Sequence, residues 1–364
     1  MPTNTLPPTA TATLTNTPAP TNTATPTATP RPPTLRELAD SKGVTLGVFI
    51  DPRYNDPAST EKIISENFNL LVTGALSWDW IRRKGRDINL IDFTLNDRWV
   101  ALAQRNNMKI RNGNPLVYHW GLPDWLTSGN FTRAELISIM QEHITTVVGY
   151  YKGKFSEWVV LNEAVWAYQG KTGYSDTIWH HIIGPDYIEM AFQSARQADP
   201  NAVLIYNDFG DEIAGLQADV VYGLVKRLKD KNLVDAVGMQ FHFMSPPVVD
   251  PLLPHVDAVH PPSKGDLIAQ MRRYRDIGVR VVITELDVDT SQLAGTKEQK
   301  LARQAEIYRM VIEACLESGA CNSLSVWGLN DKIETTGVES PWLFSNGEPK
   351  PAYFAIRDFL ASKP

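Results

Sequence analysis

The chain has 364 residues, 43% hydrophobic and 21% charged, with a net charge of −6 and no basic cluster. This balance supports a globular fold and argues against a nucleic-acid partner, which would need a basic face. No apolar run approaches the ~20 residues needed to cross a bilayer, so no membrane span is expected.

Residues 1–33 are nearly all Thr, Pro, Ala and Asn. Such a stretch has almost nothing to bury against its ordering entropy, so it reads as a disordered Thr/Pro-rich linker. Met1 leads into it without a signal-peptide pattern, which reads as a trimmed chain. Linkers of this kind join a secreted domain to another module, so an exported protein with a tethered neighbour is expected. Residues 34–364 form the second region, long for one domain but ordinary for an α/β barrel.

From Thr34 onward, β-branched apolar runs alternate with amphipathic stretches. The strand candidates are Val44–Ile50, Leu70–Ala75, Met108–Asn112, Glu157–Asn162, Ala202–Asn207, Ala236–Phe243, Val279–Leu286 and Ser323–Gly328. The runs are continuous rather than alternating, as in strands covered on both faces. Eight such runs with helices between them predict an α/β fold of the (β/α)8 TIM-barrel type, a single catalytic domain over 34–364. A doubly wound sheet would call for a Gly-rich phosphate turn after the first strand, and the sequence has none. Neither a cofactor motif nor a metal-ligand spacing occurs, so no cofactor and no metal are expected.

Strand ends in a barrel open onto the active-site face. Polar residues stand where four consecutive runs stop: Asn162 and Glu163, Asn207 and Asp208, Gln240 and His242, and Glu285 and Asp287. Two glutamates facing each other across a barrel mouth are what glycoside hydrolysis needs, one giving a proton to the leaving oxygen and the other attacking the anomeric carbon. Asp287 points to the same side of its strand as Glu285. His242 between them would complete a carboxylate–imidazole–carboxylate chain that keeps the nucleophile ionised. Asn162 is placed to bind a sugar hydroxyl, and Trp327, ending the last run, offers a flat face for a pyranose. Cys315 and Cys321 flank Gly319 and read as a small-loop disulfide or as two buried thiols.

These stretches together resemble the family 10 glycoside hydrolases, the retaining endo-β-1,4-xylanases. The resemblance spans Thr34–Leu360 and is carried by "LRELADSKGVTLGV", "YHWGLPDWL", "EWVVLNEAV", "VDAVGMQFHF", "VVITELDVD", "SVWGLNDK" and "PKPAYFAI". It implies Glu163 as acid/base and Glu285 as nucleophile. Gln240 and His242 would bracket the nucleophile, with Asp287 supporting His242. Asn162, Asn207, His119, Tyr118, Asn114, Trp78 and Trp327 would meet the sugar. Cys315 and Cys321 fall where many members carry a disulfide. A polysaccharide substrate, xylan first, and a monomeric, extracellular enzyme follow from the same likeness.

The chain departs from the pattern at the second and third strand ends. Thr73, Gly74 and Ser77 stand where the family has Glu, Asn and Lys, and Asn114 and Tyr118 replace a histidine and a tryptophan. Thr335 replaces a second stacking tryptophan. The family holds the sugars ahead of the scissile bond with these groups, so a weakened grip and more room beside the reacting sugar are expected. Two other readings remain open. One is the same mechanism on a related β-glycan, a decorated xylan or short aryl glycosides, and the other is a carbohydrate-binding protein with little turnover. Trp80 and Trp120 read equally as packing or as sugar-stacking residues. Trp125, Trp158 and Trp179 read as packing, and His180, His181, His255 and His260 as surface histidines.

Overall fold

The computed structural model describes residues 1–5, 8, 31–167, 173–243, 256–331 and 339–363. Most of the expected linker, His255 and Thr335 therefore lie outside the described residues. The apolar runs form eight strands: β1 Thr45–Ile50, β2 Leu70–Thr73, β3 Lys109–Asn112, β4 Glu157–Asn162, β5 Val203–Asp208, β6 Ala236–Met239, β7 Arg280–Val288 and β8 Cys321–Val326. Each pairs in parallel with its neighbours in chain order. Strand β8 pairs with both β7 and β1, so the sheet closes into a barrel.

A helix returns after every strand: Pro57–Asn67, Thr94–Arg105, Arg133–Tyr150, Tyr187–Ala198, Leu216–Asp230, Lys264–Arg275, Lys297–Ser318 and Pro351–Ser362. Local chemistry fixes several of their starts. Thr132 accepts from the amide of Glu135 while the Glu135 side chain accepts from the amide of Thr132, and Thr296 with Gln299 does the same. These capping boxes satisfy amide groups that the first turn leaves without partners. Helix Arg133–Tyr150 buries Leu136, Ile139, Met140, His143, Ile144, Val147 and Val148, a stripe at helical spacing that faces the sheet. The main core lies between barrel and helices.

Inside the barrel, Val159, Ile205, Ala236 and Val282 from β4 to β7 form a separate apolar cluster. The opposite interior is polar. Arg111 reaches from β3 to Glu157 Oε2 at 3.3 Å and to Ser325 Oγ on β8 at 2.5 Å. Burying one partner of such a pair alone would leave an uncompensated charge.

Register sets the strand ends level. Thr73 lies beside Asn112, Asn162 beside Asn207, and Asp287 beside His242. The sixth strand differs from its expected span. It stops at Met239, and Phe241 takes a left-handed φ of 61° before His242–Phe243 pair again with β7. The freed Phe241 amide donates to Glu212 Oε1 at 2.8 Å. This break replaces ladder hydrogen bonds at the point where Gln240 and His242 enter the barrel mouth.

Candidate active site

A cleft of about 710 Å³ opens at the strand ends, lined by residues including Asn162, Glu163, Gln240, His242, Glu285, Tyr118 and Trp327. Glu163 follows β4 directly and has a φ of 52°. The left-handed conformation costs an ordinary residue roughly 1–2 kcal/mol. Its amide is held by Asn207 O at 3.0 Å. The kink lifts the chain out of the sheet just as the carboxylate is delivered to the cleft. Oε1 accepts from Asn162 Nδ2 at 2.9 Å and Gln240 Nε2 at 2.8 Å, and Oε2 accepts from the Tyr118 hydroxyl at 2.8 Å. Burial, and then the charge of Glu163, push the Tyr118 phenol far above its ordinary value. Tyr118 therefore stays a donor.

Glu285, on β7, is held from both sides. Oε1 accepts from Asn207 Nδ2 at 2.7 Å, and Oε2 lies 3.1 Å from His242 Nε2. The other ring nitrogen, Nδ1, lies 3.0 Å from Asp287 Oδ2. Carboxylates on both sides of the ring each need a donor, so the imidazolium satisfies both. Burial by itself would lower the pKa of His242, but the charges of Asp287 and Glu285 and the hydrogen bonds to them outweigh it and hold the ring well above its ordinary value. Asn207 joins the two carboxylate systems. Its second amide hydrogen goes to Asn162 Oδ1 at 2.8 Å, and its Oδ1 accepts from Thr284 Oγ1 at 2.7 Å. Gly238 makes this possible, because a Cβ there would meet Asn207 Oδ1 at 2.2 Å.

The expected sugar-binding residues divide. Asn162 lines the cleft, its amide shared between Glu163 and the Tyr118 hydroxyl. Asn207 is only 1% exposed and has committed both amide hydrogens, so it positions the nucleophile rather than meeting the sugar. Trp78 borders the cleft, but it is 2% exposed, donates its indole N–H to Leu116 O at 2.8 Å and stacks on His143 at 3.5 Å, so most of its ring packs inward. Asn114 lines the cleft, but its Oδ1 serves the amide of Leu76 at 3.1 Å. His119 lines a neighbouring cavity with Trp166, Tyr174 and Thr177. Burial lowers its pKa, only partly offset by the charge of Glu163. Trp327 has one face covered by Phe49, centroids 4.0 Å apart. Asp208 ends β5 but is wholly buried with Tyr206 and Gln217, outside the cleft.

Gly74, Ser77 and Asn114, where more room was expected, all line the cleft, and the Phe49 ring stands where a Cβ on Gly74 or Gly113 would lie. Trp80 and Trp120 both line the cleft, and Trp120 is 71% exposed. Trp158 and Trp179 are buried, while His181 and His260 are exposed. Thr284, Glu212 and Phe49 take part without having been singled out in the sequence. Thr284 immediately precedes Glu285, a strand-end position that could have flagged it. Glu212 and Phe49 act through contacts between distant segments, which leave no local pattern.

The sulfurs of Cys315 and Cys321 lie 2.02 Å apart, a disulfide. Among the described residues, no group of three or more His, Cys, Asp or Glu side chains is placed to hold a metal ion, and no helix is long and apolar enough to cross a membrane.

Comparison with known proteins agrees with this geometry. Residues 34–359 match the family described as Glycosyl hydrolase family 10. Endo-1,4-beta-xylanase B of Thermotoga neapolitana is 32% identical over 340 residues, spanning 90% of this chain and 92% of its own. The crystal structure of native xylanase 10B from Thermotoga maritima superposes with a TM-score of 0.80 at 32% identity, covering 90% of this chain and 98% of that one. Xylanase 10B from Thermotoga petrophila RKU-1, solved in complex with xylobiose, gives 0.81 at 31% identity over 92% and 99%. A barrel mouth with two hydrogen-bonded glutamates at the ends of its fourth and seventh strands, together with a family match across almost the whole folded region, makes this chain an enzyme, a glycosidase belonging to glycosyl hydrolase family 10.

Proposed function

We propose that the protein hydrolyses internal β-1,4 links of xylan by double displacement, with Glu163 as acid/base and Glu285 as nucleophile. The observation that carries the assignment is the asymmetry of hydrogen bonding. Glu285 lies against an imidazolium that Asp287 holds in place, so a charged partner fixes its oxygens for attack. Glu163 is held by neutral donors only, the amides of Asn162 and Gln240 and the phenol of Tyr118.

In the first step a Glu285 oxygen bonds to the anomeric carbon while Glu163 gives its proton to the departing sugar's oxygen. In the second, Glu163 takes a proton from water, the water oxygen bonds to the anomeric carbon, and the Glu285 ester breaks. The β configuration is restored. Asn162, on the cleft wall beside Glu163, is placed to meet a hydroxyl of the reacting sugar.

The compartment and the first region belong to the same reading. A disulfide and a Thr/Pro-rich segment fit an exported, monomeric enzyme whose residues 1–33 link it to another module. The changes at Thr73, Gly74, Ser77 and Asn114 favour a second reading, the same chemistry on another β-glycan.

Release of reducing ends from linear xylan, mixed-linkage β-glucan and carboxymethyl cellulose separates the two. Xylan is expected to react fastest, with β-xylo-oligosaccharides as first products by proton NMR. Fastest release from β-glucan would select the second reading, and α-anomers as first products would refute double displacement.

A further inference from the structure

Two glycines in the cleft have no room for a side chain, and one ring is the obstacle at both. A Cβ on Gly74 would lie 2.8 Å from Phe49 Cζ and 2.9 Å from Cε2, and one on Gly113 would lie 2.5 Å from Cε2 and 2.6 Å from Cδ2. Neither glycine has a positive φ, so backbone freedom does not explain them. Gly74 is excluded a second time by Ile50 O at 2.8 Å, whereas at Gly113 the next atom, Thr73 O, stands at 3.2 Å. Phe49 and these glycines therefore form one packing unit at the ends of β1, β2 and β3.

The far side of the Phe49 ring is spent on Trp327. Their centroids are 4.0 Å apart with planes inclined by 19°. That is van der Waals contact, so no pyranose enters between them and that face of Trp327 is closed. Trp327 in turn stands edge-on to His242 at 6.1 Å, and His242 holds Glu285. With Glu285 attacking and Glu163 protonating, the retained sugar would lie over Glu285 beside this row and the leaving sugar toward Glu163. Phe49 thus walls the side of the cleft that receives the glycone, the part of the chain retained on the nucleophile.

We infer that Phe49 is a specificity-determining residue: by covering Trp327 it removes a stacking face from a wall otherwise lined by Asp51, Arg53, Ser77 and Asn114, so that β-1,4-linked substrates are recognised mainly through the reacting sugar and the leaving-group side. The inference rests on the roles proposed for Glu163 and Glu285. It predicts that each sugar added on the glycone side brings little gain. Phe49 also explains why Gly74 and Gly113 must stay glycine.

The test compares kcat/KM for 4-nitrophenyl β-xyloside and β-xylobioside in the unmodified enzyme, Phe49→Ala and Phe49→Leu. In the unmodified enzyme the added sugar is expected to raise kcat/KM by less than about tenfold, below the worth of two buried hydrogen bonds. Phe49→Ala exposes the Trp327 face and is expected to raise that ratio about fivefold, the worth of one aromatic contact, with Phe49→Leu between. The melting temperature gives a readout independent of turnover. Gly113→Ala should lower it strongly in the unmodified enzyme and much less beside Phe49→Ala. An unchanged ratio in Phe49→Ala, or equal effects of Gly113→Ala in both backgrounds, overturns the inference. Absence of turnover on both glycosides would instead defeat the catalytic reading and leave the stability cycle to decide the packing claim.

Discussion

The ends of β4 to β7 and the ends of β1 to β3 face the same cleft and follow opposite rules. On the first side both glutamates are held by side-chain hydrogen bonds, and the network runs unbroken from Tyr118 through Glu163, Asn162 and Asn207 to Glu285, His242 and Asp287. On the second side Phe49, Gly74 and Gly113 form an apolar patch beside Asp51, Arg53, Ser77 and Asn114; Ser77 donates to Asp79 and to Gly121 O, and Asn114 Oδ1 accepts from the Leu76 amide. Bond-breaking requires fixed charges at fixed places, so that half tolerates little change. Recognition of a polymer is spread over many contacts, so that half can be rebuilt without losing the reaction.

Glu285→Ala should sharpen this contrast most. Loss of the attacking group is expected to lower kcat by at least about 10⁴-fold on every substrate, as for other covalent nucleophiles. Glu163→Ala should cost a similar factor on xylan but little on the first step of aryl glycosides with good leaving groups, which need no proton. Azide should restore turnover in this variant by attacking without a base. Equal, unrescued losses in both variants would erase the distinction between the two glutamates.

Asp287→Asn comes next. Removing one of the two carboxylates that hold His242 charged should reduce kcat about 10²-fold, the usual scale for a partner behind a reacting group. The sign of the pH effect follows from the raised pKa of His242. Its charged form is present at low pH and is lost as pH rises through the raised value. The variant should therefore lose activity at lower pH on the alkaline side than the unmodified enzyme does. A pH–rate profile that keeps its alkaline limb would show that His242 does not hold the nucleophile in this way.

Much of the charged half is legible in the sequence, because a strand end is a local signal. Asn162, Glu163, Gln240, His242, Glu285 and Asp287 each interrupt an apolar run at the point where a barrel opens. The other half is not, because Gly74 takes its meaning from Phe49, a residue on another strand. A glycine in a motif reads as a missing side chain, and only the fold reveals that a ring from β1 fills the gap. Trp78 is only partly legible for a related reason. It borders the cleft as its place in the motif suggests, while its burial against His143 depends on a residue sixty-five positions away in sequence. Even on the well-read side, the left-handed backbone of Glu163 and the closeness of Asn207 to Gly238 come from geometry alone.

Tyr118→Phe should give the smallest effect of the series. Its hydroxyl donates to Glu163 Oε2 at 2.8 Å and orients that oxygen in the cleft. Removing it should lower kcat/KM by up to about tenfold, the worth of one hydrogen bond. An unchanged kcat/KM would make Tyr118 a wall of the cleft and nothing more.

The central claim is that Glu285 forms the covalent bond to the sugar. A 2-deoxy-2-fluoro β-xylobioside with a good leaving group slows the second step, so the ester accumulates and can be located by peptide mass spectrometry. A single adduct on the peptide carrying Glu285, absent from Glu285→Ala, is the predicted result. An adduct on Glu163 or elsewhere, or turnover of the reagent with no adduct at all, would contradict it.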